Sequence, residues 1–571
     1  MLQHYLQEFA KLLKKQTWIL EETLLNQITL APENIEGDLA FPCFRIAKEF
    51  SRNPNELAKE LTEKLSQEEH QFFERFIAVW PYVNAIIESE TFAQSLLTEI
   101  QEKQTDYGQG EKTGKQILIE GWQPNTHKAV HIGHVRNILV WESVSRILKF
   151  AGNEVIKCCY PWDIGAHVAK WIRYYLNFYP QQGNFPTENF TKRVGELYTL
   201  ATCKVDENPD EYKRQIEELQ KKLEDGDKEL QTVWKQTREL CLIDMKKIFD
   251  ELWSGNIDKR YFESEVEQPG IQIVNKMLAD GIAEVSQGAV AMNLEEWKLW
   301  WFLLLKSTGA SLYSTKDIAL AYQKKADFPN YNTSLYVVGS EQEHHFQQLF
   351  KTLELIGFDF NKLHHLSYGL IDLKSGKMSS RAGNVILYED FRDQLIQQAE
   401  QGMTERNLPE AEKKLTARAV AFAAMKFAIL LQDSEKKILF DEAQALSFEG
   451  ETGPYLQYTY ARINSILRKN TQELNKPDFS LLNTEEDKKL LLQLSKFWEE
   501  VQKAAQTYKP NYVARFCLDT AQIFNSYYHN HKIIDKSNPE LSKARLFLIQ
   551  SVQQIIKNGL ELLWIDTVES M

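Results

Sequence analysis

The sequence predicts a multidomain α/β protein. An N-terminal α/β unit covers about 1–110, a parallel-sheet domain covers 111–400 with a helical insertion at about 180–252, and an all-α domain covers 401–571. Three observations carry this expectation. The chain has 571 residues, more than one hydrophobic core organises. Between Ile117 and Gly339, short apolar runs alternate with stretches of helical period, as strand–helix–strand units do. Beyond Glu410 the helical period is almost all that remains.

Composition narrows the class. No run of about 18 apolar residues occurs, which excludes a spanning helix. The N-terminus, MLQHYLQEFAKLLKKQ, reads as an amphipathic helix without the apolar core of a signal peptide. The six cysteines form no CxxC pair, so reduced, buried thiols in a cytoplasmic protein are the expectation. A monomer is expected, because no stretch suggests a long exposed apolar face. The net charge of −13 is unfavourable for nucleic acid as a whole-chain quantity, although a partner responds to a local basic face.

In the N-terminal unit, Gly37–Cys43 leads into a helical segment from Arg45 to Phe50. A second helix starts near Asn55, and Ala78 to Ile87 has strand character. The charged, Gly-containing loop Tyr107–Lys115 then separates this unit from the next. Ile117-Leu118-Ile119 has the character of a buried parallel strand. A loop with Pro124 and Asn125 follows, then a helix pattern on Val135, Ile138, Leu139, Ile147 and Leu148, stopped by Gly152-Asn153. Val155 to Tyr160 is the next strand. The unit is Rossmann-like, and ligands of such sheets bind beyond the carboxyl ends of the strands.

His131-Ile132-Gly133-His134 stands at that mouth, where a helix N-terminus favours anions. Two imidazoles on one turn can donate to phosphate oxygens, and Gly133 lets a nucleotide approach. Two plainer readings compete. The histidines could be surface polarity, or a metal pair, although no third ligand stands at a zinc-type spacing and no His-Glu-x-x-His occurs.

From about Pro180 to Leu252 apolar residues recur at helical spacing among many charges, which reads as helices with solvated faces. The second half of the α/β unit resumes near Phe262-Glu263-Ser264 and includes strand-like Gly288–Met292. It continues through Tyr313–Ala319 and Ser334–Gly339. After Tyr368-Gly369-Leu370-Ile371 comes Gly376-Lys377-Met378-Ser379-Ser380-Arg381. Ala-rich Ala419–Leu431, amphipathic Tyr455–Leu467 and Leu546–Leu563 make up much of the C-terminal helical pattern.

The His131–His134 tetrad and Gly376–Arg381 together resemble the paired HIGH and KMSKS signatures of class I aminoacyl-tRNA synthetases. The context Asn125-x-x-Lys128-x-x-His131, the segment Tyr313–Asp317 and Gly453-Pro454-Tyr455-Leu456-Gln457-Tyr458 resemble arginyl-tRNA synthetases. The resemblance runs from about Glu36 to Met571. It implies a catalytic domain with a connective insertion, a helical anticodon-binding domain, and an appended N-terminal domain touching the tRNA elbow. From the residues alone, that N-terminal unit could equally be a structural domain.

The reaction implied is ligation of L-arginine to tRNA(Arg) through an arginyl-adenylate, releasing pyrophosphate and AMP. The carboxylate nucleophile is already ionised, so positioning and charge stabilisation are what the site must supply. His131, His134, Lys128 and Lys377 are the catalytic residues implied, with ATP also met by Gly133, His345, Met378 and Ser379. Mg²⁺ is expected to arrive with ATP, with no dedicated protein metal site. Ser380 replaces the second lysine of the signature, and Lys128 stands where it can substitute; a solvated loop lysine is the alternative.

For arginine the resemblance implies Glu120, Gln123, Pro124, Asn125, His134, Tyr313, Asp317 and Gln342. A guanidinium fork pairs best with carboxylates, so Glu120 and Asp317 are expected to face one pocket. Tyr313 and Asp317 share a face if their segment is helical. Asp163 and Gly165 match the family pattern after the second strand, whereas His167 departs from its Gln; Asp163 could instead stabilise a turn. Tyr455, Tyr458 and Arg462 are expected against tRNA by stacking and pairing, although tyrosines at that spacing are more often core.

Three rivals remain. A small-molecule nucleotidylyltransferase has no need of the helical domain, and a non-catalytic RNA-binding paralogue has no use for the intact site residues. A cysteine-specific synthetase needs metal-binding thiols, and the cysteines here are wrongly spaced.

Overall fold

A computed structural model describes residues 1–32, 35–178, 190–252, 255–373, 387–403, 409–470 and 477–571. The N-terminal unit begins with α1 (Leu2–Thr17), α2 (Glu21–Leu25), β1 (Thr29–Leu30) and β2 (Leu39–Pro42). Then come α3 (Phe44–Glu49), α4 (Pro54–Leu65), β3 (Phe73–Val79), β4 (Tyr82–Ile87) and α5 (Ser89–Lys103). Its four strands form an antiparallel sheet in the order β1-β2-β4-β3. The segment Ala78–Ile87, read as having strand character, is the end of one strand and the whole of the next. Pro81 cannot donate to a ladder, and Trp80 at φ 51 turns the chain so that Val79 pairs with Tyr82. The helix expected near Asn55 starts one residue earlier, capped by Asn53, whose side chain accepts from Asn55 N, with Pro54 in the first turn.

The middle domain starts with β5 (Gln116–Gly121), α6 (Ile132–Phe150), β6 (Glu154–Cys159) and α7 (Ala166–Phe178). The insertion helices are α8 (Phe190–Glu207), α9 (Pro209–Glu224) and α10 (Lys228–Leu252). The chain then runs through β7 (Lys259–Arg260), α11 (Glu263–Ala279), β8 (Glu284–Ser286), β9 (Ala289–Asn293), β10 (Trp301–Leu305) and α12 (Tyr313–Asp327). It closes with β11 (Thr333–Gly339), α13 (Glu343–Leu355), β12 (Leu363–Tyr368) and β13 (Ile371–Leu373). Five strands make one parallel sheet in the order β12-β11-β5-β6-β7. The chain leaves β5 toward β6 and returns to β11 on the other side, so the crevice between β5 and β11 is the topological switch point.

Helix α6 lies against the middle of the sheet and is tied there by polar contacts. Trp141 Nε1 donates to Ile119 O at 3.0 Å, and Asn137 donates to Val337 O at 2.7 Å while accepting from Trp122 N at 2.6 Å. A second core under β11 and β12 draws in α11, α12, α13 and the antiparallel sheet β8–β10. The insertion helices, together with α7, have a core of their own around Trp171, Leu223, Trp234 and Cys241.

The C-terminal helices are α14 (Tyr388–Gln401), α15 (Glu410–Leu430), α16 (Glu442–Ala445), α17 (Gly453–Lys469), α18 (Glu485–Ser495), α19 (Phe497–Thr507), α20 (Asn511–Asn530) and α21 (Pro539–Leu562). One short strand, β14 (Ile438–Phe440), interrupts what reads as helix alone, and pairs in parallel with β13. Three residues are too few to carry a period. The core of these helices is continuous with α6, β5 and the N-terminal unit. Among the described residues no helix is long and apolar enough to cross a membrane.

Candidate active site

The loop from β5 to α6 carries the densest set of expected residues. His131 is the N-cap of α6, and its Nδ1 accepts from Gly133 N at 3.1 Å. His134 Nδ1 accepts in return from His131 N, also at 3.1 Å. Both rings therefore spend Nδ1 as an acceptor, which fixes the tautomer: each keeps its proton on Nε2. Burial, reinforced by the charge of Lys128, lowers His131 to about 4, and His134 is driven well below its ordinary value by burial and by its neighbour. The pair thus offers neutral N–H donors. The space freed by Gly133 belongs first to its own neighbour, because a Cβ there would come within 2.9 Å of the His131 ring.

Two residues of this loop, Trp122 and His127, hold positive φ, at 51° and 62°. Such backbone is sparsely populated by side chains of this size and needs outside support. His127 has it. The ring is wholly buried, with Nδ1 3.0 Å from Thr126 Oγ1 and Nε2 2.7 Å from Thr237 Oγ1 on α10. Burial lowers its pKa to about 3. The next residue, Lys128, is also pushed down by burial, and its charge acts on His131, His134, His167 and Lys170.

Across the crevice, Tyr313 opens α12 with its ring tilted on Trp162, centroids 5.1 Å apart. Trp162 also bridges to Asn125, and its N–H donates to Pro124 O at 2.9 Å, so one tryptophan joins the two loops. Asp317 lies one turn after Tyr313, as expected for a helix, and its Oδ2 is 2.7 Å from His345 Nε2. His345 therefore stands on the acid side of the crevice, bonded to Asp317. Gln342 ends a short turn after β11 and is half-buried.

Glu120 differs from expectation. Its side chain is sealed inside, where Oε2 is paired with Lys324 and Oε1 accepts from Gln123 Nε2 at 2.8 Å. Glu120 thus has both oxygens satisfied by the fold, and it anchors Gln123. The second acid acting on the Tyr313 phenol beside Asp317 is Glu263, the first residue of α11. Its Oε1 accepts from Lys316 Nζ at 2.9 Å, while Oε2 is buried without a partner among the described residues. Burial, against the opposing charge of Lys316, raises Glu263 to about 7. The buried hydroxyl of Tyr160, in the field of Asp317 and Glu263, is also unpartnered. Sequence reasoning missed Glu263 because its contacts come from 53 residues away; its only local signal is an acid at a helix start where the sheet resumes.

Asp163 is consumed structurally: Arg238 Nη1 lies 3.1 Å away, and Ser264 donates through both N and Oγ at 2.9 and 2.8 Å. It ties α10 to α11, a long-range role that neither the nucleotide-site nor the turn-stabilising reading named. His167 is held with Nε2 3.3 Å from Trp162 O. Tyr455, Tyr458 and Arg462 share a face of α17 and are half-buried in one network. Arg462 donates to Tyr458 Oη at 2.9 Å and to Asn525 Oδ1 at 2.7 Å, and Asn525 donates to Tyr455 Oη at 2.8 Å. Lys377, Met378 and Ser379 lie outside the described residues. Among the described residues, no three His, Cys, Asp or Glu side chains converge in a metal-holding group.

Known proteins match the chain along its length. Residues 95–441 match the family model described as tRNA synthetases class I (R), catalytic domain. Residues 456–571 match the DALR anticodon binding domain, and residues 3–87 the arginyl tRNA synthetase N terminal domain. The chain is 33% identical over 578 residues to an arginine–tRNA ligase of Clostridium perfringens, covering 98% of this chain and 99% of that one. An arginine–tRNA ligase of Halothermothrix orenii is 33% identical over 556 residues, covering 96% of each. The arginyl-tRNA synthetase of Thermus thermophilus superposes with a TM-score of 0.79 at 27% identity over 100% of both chains. The Plasmodium falciparum arginyl-tRNA synthetase shares the fold, with a TM-score of 0.77 at 20% identity, covering 95% of this chain and 94% of that one.

Proposed function

The chain belongs to the class I arginyl-tRNA synthetase family, and from that premise we propose how its own residues divide the family's reaction, the ATP-dependent charging of tRNA with arginine through an adenylate. One observation carries the proposal. A neutral donor pair stands beside a half-buried lysine at the start of α6, and Tyr313, Asp317 and Glu263 form an acidic cluster at the starts of α11 and α12.

The arginine side chain enters toward Tyr313, Asp317 and Glu263. A guanidinium brings the cation that the unpartnered Glu263 oxygen lacks, and binding pulls that carboxyl toward its ionised form. Asn125 and Gln342, on the loops after β5 and β11, hold the backbone amine and carboxylate, with Gln123 and Pro124 shaping the floor and His134 reaching the carboxylate end. Glu120 acts through Gln123, not by direct pairing.

ATP lies over His131, Gly133 and His134, whose Nε2–H donors meet the phosphates without adding charge. Lys128 supplies the fixed cation, and Lys377, Met378 and Ser379 bind ATP as well. Mg²⁺ bound with the triphosphate would screen its charge. When arginine's carboxylate attacks the α-phosphate and pyrophosphate leaves, charge moves toward the leaving oxygens, which is where Lys128 and the imidazoles act. The substrate tRNA is tRNA(Arg), met on the helical domain by Tyr455, Tyr458 and Arg462, and the enzyme works as a monomer.

ATP–pyrophosphate exchange, run with and without tRNA, tests this. Exchange specific to arginine supports the reading, and Lys128→Ala should slow it about 100-fold. A Lys128→Ala rate within about threefold of the parent, or roughly 0.65 kcal/mol, removes Lys128 from the mechanism.

A further inference from the structure

The ammonium of Lys128 lies 5.3 Å from the centroid of the Tyr198 ring, within the reach of a cation–π contact. Tyr198 belongs to α8, the first helix of the insertion, and not to the Rossmann-like unit. The same ring receives a second cation: Lys170 on α7 places Nζ 3.7 Å from the centroid. Lys170 Nζ also donates to Thr202 Oγ1 at 2.7 Å, and that hydroxyl donates to Tyr198 O at 2.8 Å. One turn before Tyr198, α8 touches the loop directly, because a Cβ on Gly195 would stand 2.5 Å from the Cβ of Ala129. The insertion is thus seated on the residue next to Lys128 and grips its side chain.

We infer that Tyr198 is a positioning residue for Lys128: its ring face holds the ammonium beside His131 and His134, and Lys170 fixes the ring from α7. A lysine is a point charge on a flexible four-carbon stem, and it stabilises a transition state only where that stem is already ordered. A hydrogen-bonding partner would compete with phosphate for the ammonium protons. An aromatic face orders the stem without a lone-pair acceptor, so the ammonium keeps N–H donors free to turn to phosphate. Burial lowers Lys170 to about 8, aided by the charge of Lys128, consistent with two like charges crowded on one ring. This inference rests on Lys128 meeting the phosphates.

The test is arginine-dependent ATP–pyrophosphate exchange by the full chain with tRNA present, comparing Tyr198→Phe, Tyr198→Leu, Lys170→Met and Lys128→Met. Phenylalanine keeps the ring face and should stay within about twofold of the parent, whereas leucine keeps apolar bulk without the face and should lower kcat about tenfold. The KM for arginine should stay within about twofold in both, because the acid side of the crevice is untouched. Lys170→Met leaves Tyr198 in place but unclamped, and should lower kcat about threefold, which gives an arm independent of how well the leucine variant folds. If Tyr198→Leu and Lys170→Met match the parent while Lys128→Met has lost exchange, the positioning role is overturned and Lys128 keeps its own. If Lys128→Met matches the parent, the reading beneath the inference has failed, whatever Tyr198 does.

Discussion

Glu120 and Lys324 form an ion pair sealed beneath the carboxyl end of the sheet, with side-chain exposures of 4% and 2%. The lysine also lies 3.9 Å from the centroid of the Tyr336 ring, so both charges are settled without solvent. Removing one partner of such a pair leaves the other buried and unpaired. Lys324→Met should therefore cost about 3–5 kcal/mol of stability, whereas the double variant Glu120→Gln, Lys324→Met should recover at least about 1 kcal/mol of that. Urea midpoints for the two proteins decide it. Equal losses would show that the lysine is not there to balance Glu120.

Asp317 should separate the substrates. Its carboxylate is only 21% exposed and already oriented by His345, so a bound guanidinium meets a partly desolvated charge. Asp317→Asn removes a charge-assisted hydrogen bond of about 2–3 kcal/mol, and the KM for arginine should rise about 30- to 150-fold. The KM for ATP should stay near that of the parent. An arginine KM that does not move would exclude Asp317 from the guanidinium site.

Much of this site is legible in the sequence because its residues are local. The tetrad His131–His134 announces a helix start on the residue that caps it, and Tyr313 and Asp317 announce one helical turn. What stays hidden is pairing at a distance. Nothing near Glu120 says that Lys324, 204 residues on, fills its oxygen, and nothing near Lys128 says that an insertion helix carries an aromatic face to it. The same holds for the fold. Parallel strands buried on both faces read as apolar runs, whereas β14 has three residues and no period, and its partner β13 lies 67 residues earlier.

The histidine tautomers are measurable directly. With Nδ1 of His131 and of His134 each accepting a backbone N–H, ¹⁵N spectra of the free protein at pH 6 should show both rings neutral with the proton on Nε2. Ordinary histidines are mostly charged or exchanging at that pH. A doubly protonated ring at either position would mean that the reciprocal cap is broken, and the phosphates would then meet imidazolium cations instead of neutral donors.

His127 gives the pH dependence of stability a sign. Its folded pKa of about 3 lies below its ordinary 6.5, because burial disfavours the imidazolium. The unfolded chain therefore binds this proton first as pH falls. The stabilisation is complete above 6.5 and is lost on acidification toward 3, at up to about 1.4 kcal/mol per pH unit. His131, His134 and His167 are lowered in the same direction and steepen the fall. His127→Gln isolates one share of it: glutamine can still reach Thr237 but cannot take up the proton. Urea unfolding at pH 7, 6 and 5 should give that variant a shallower slope than the parent, by the uptake of up to about one proton. Parallel slopes would mean that His127 titrates normally in the folded protein, and the brace between α10 and the strained loop would then have to rest on the main chain.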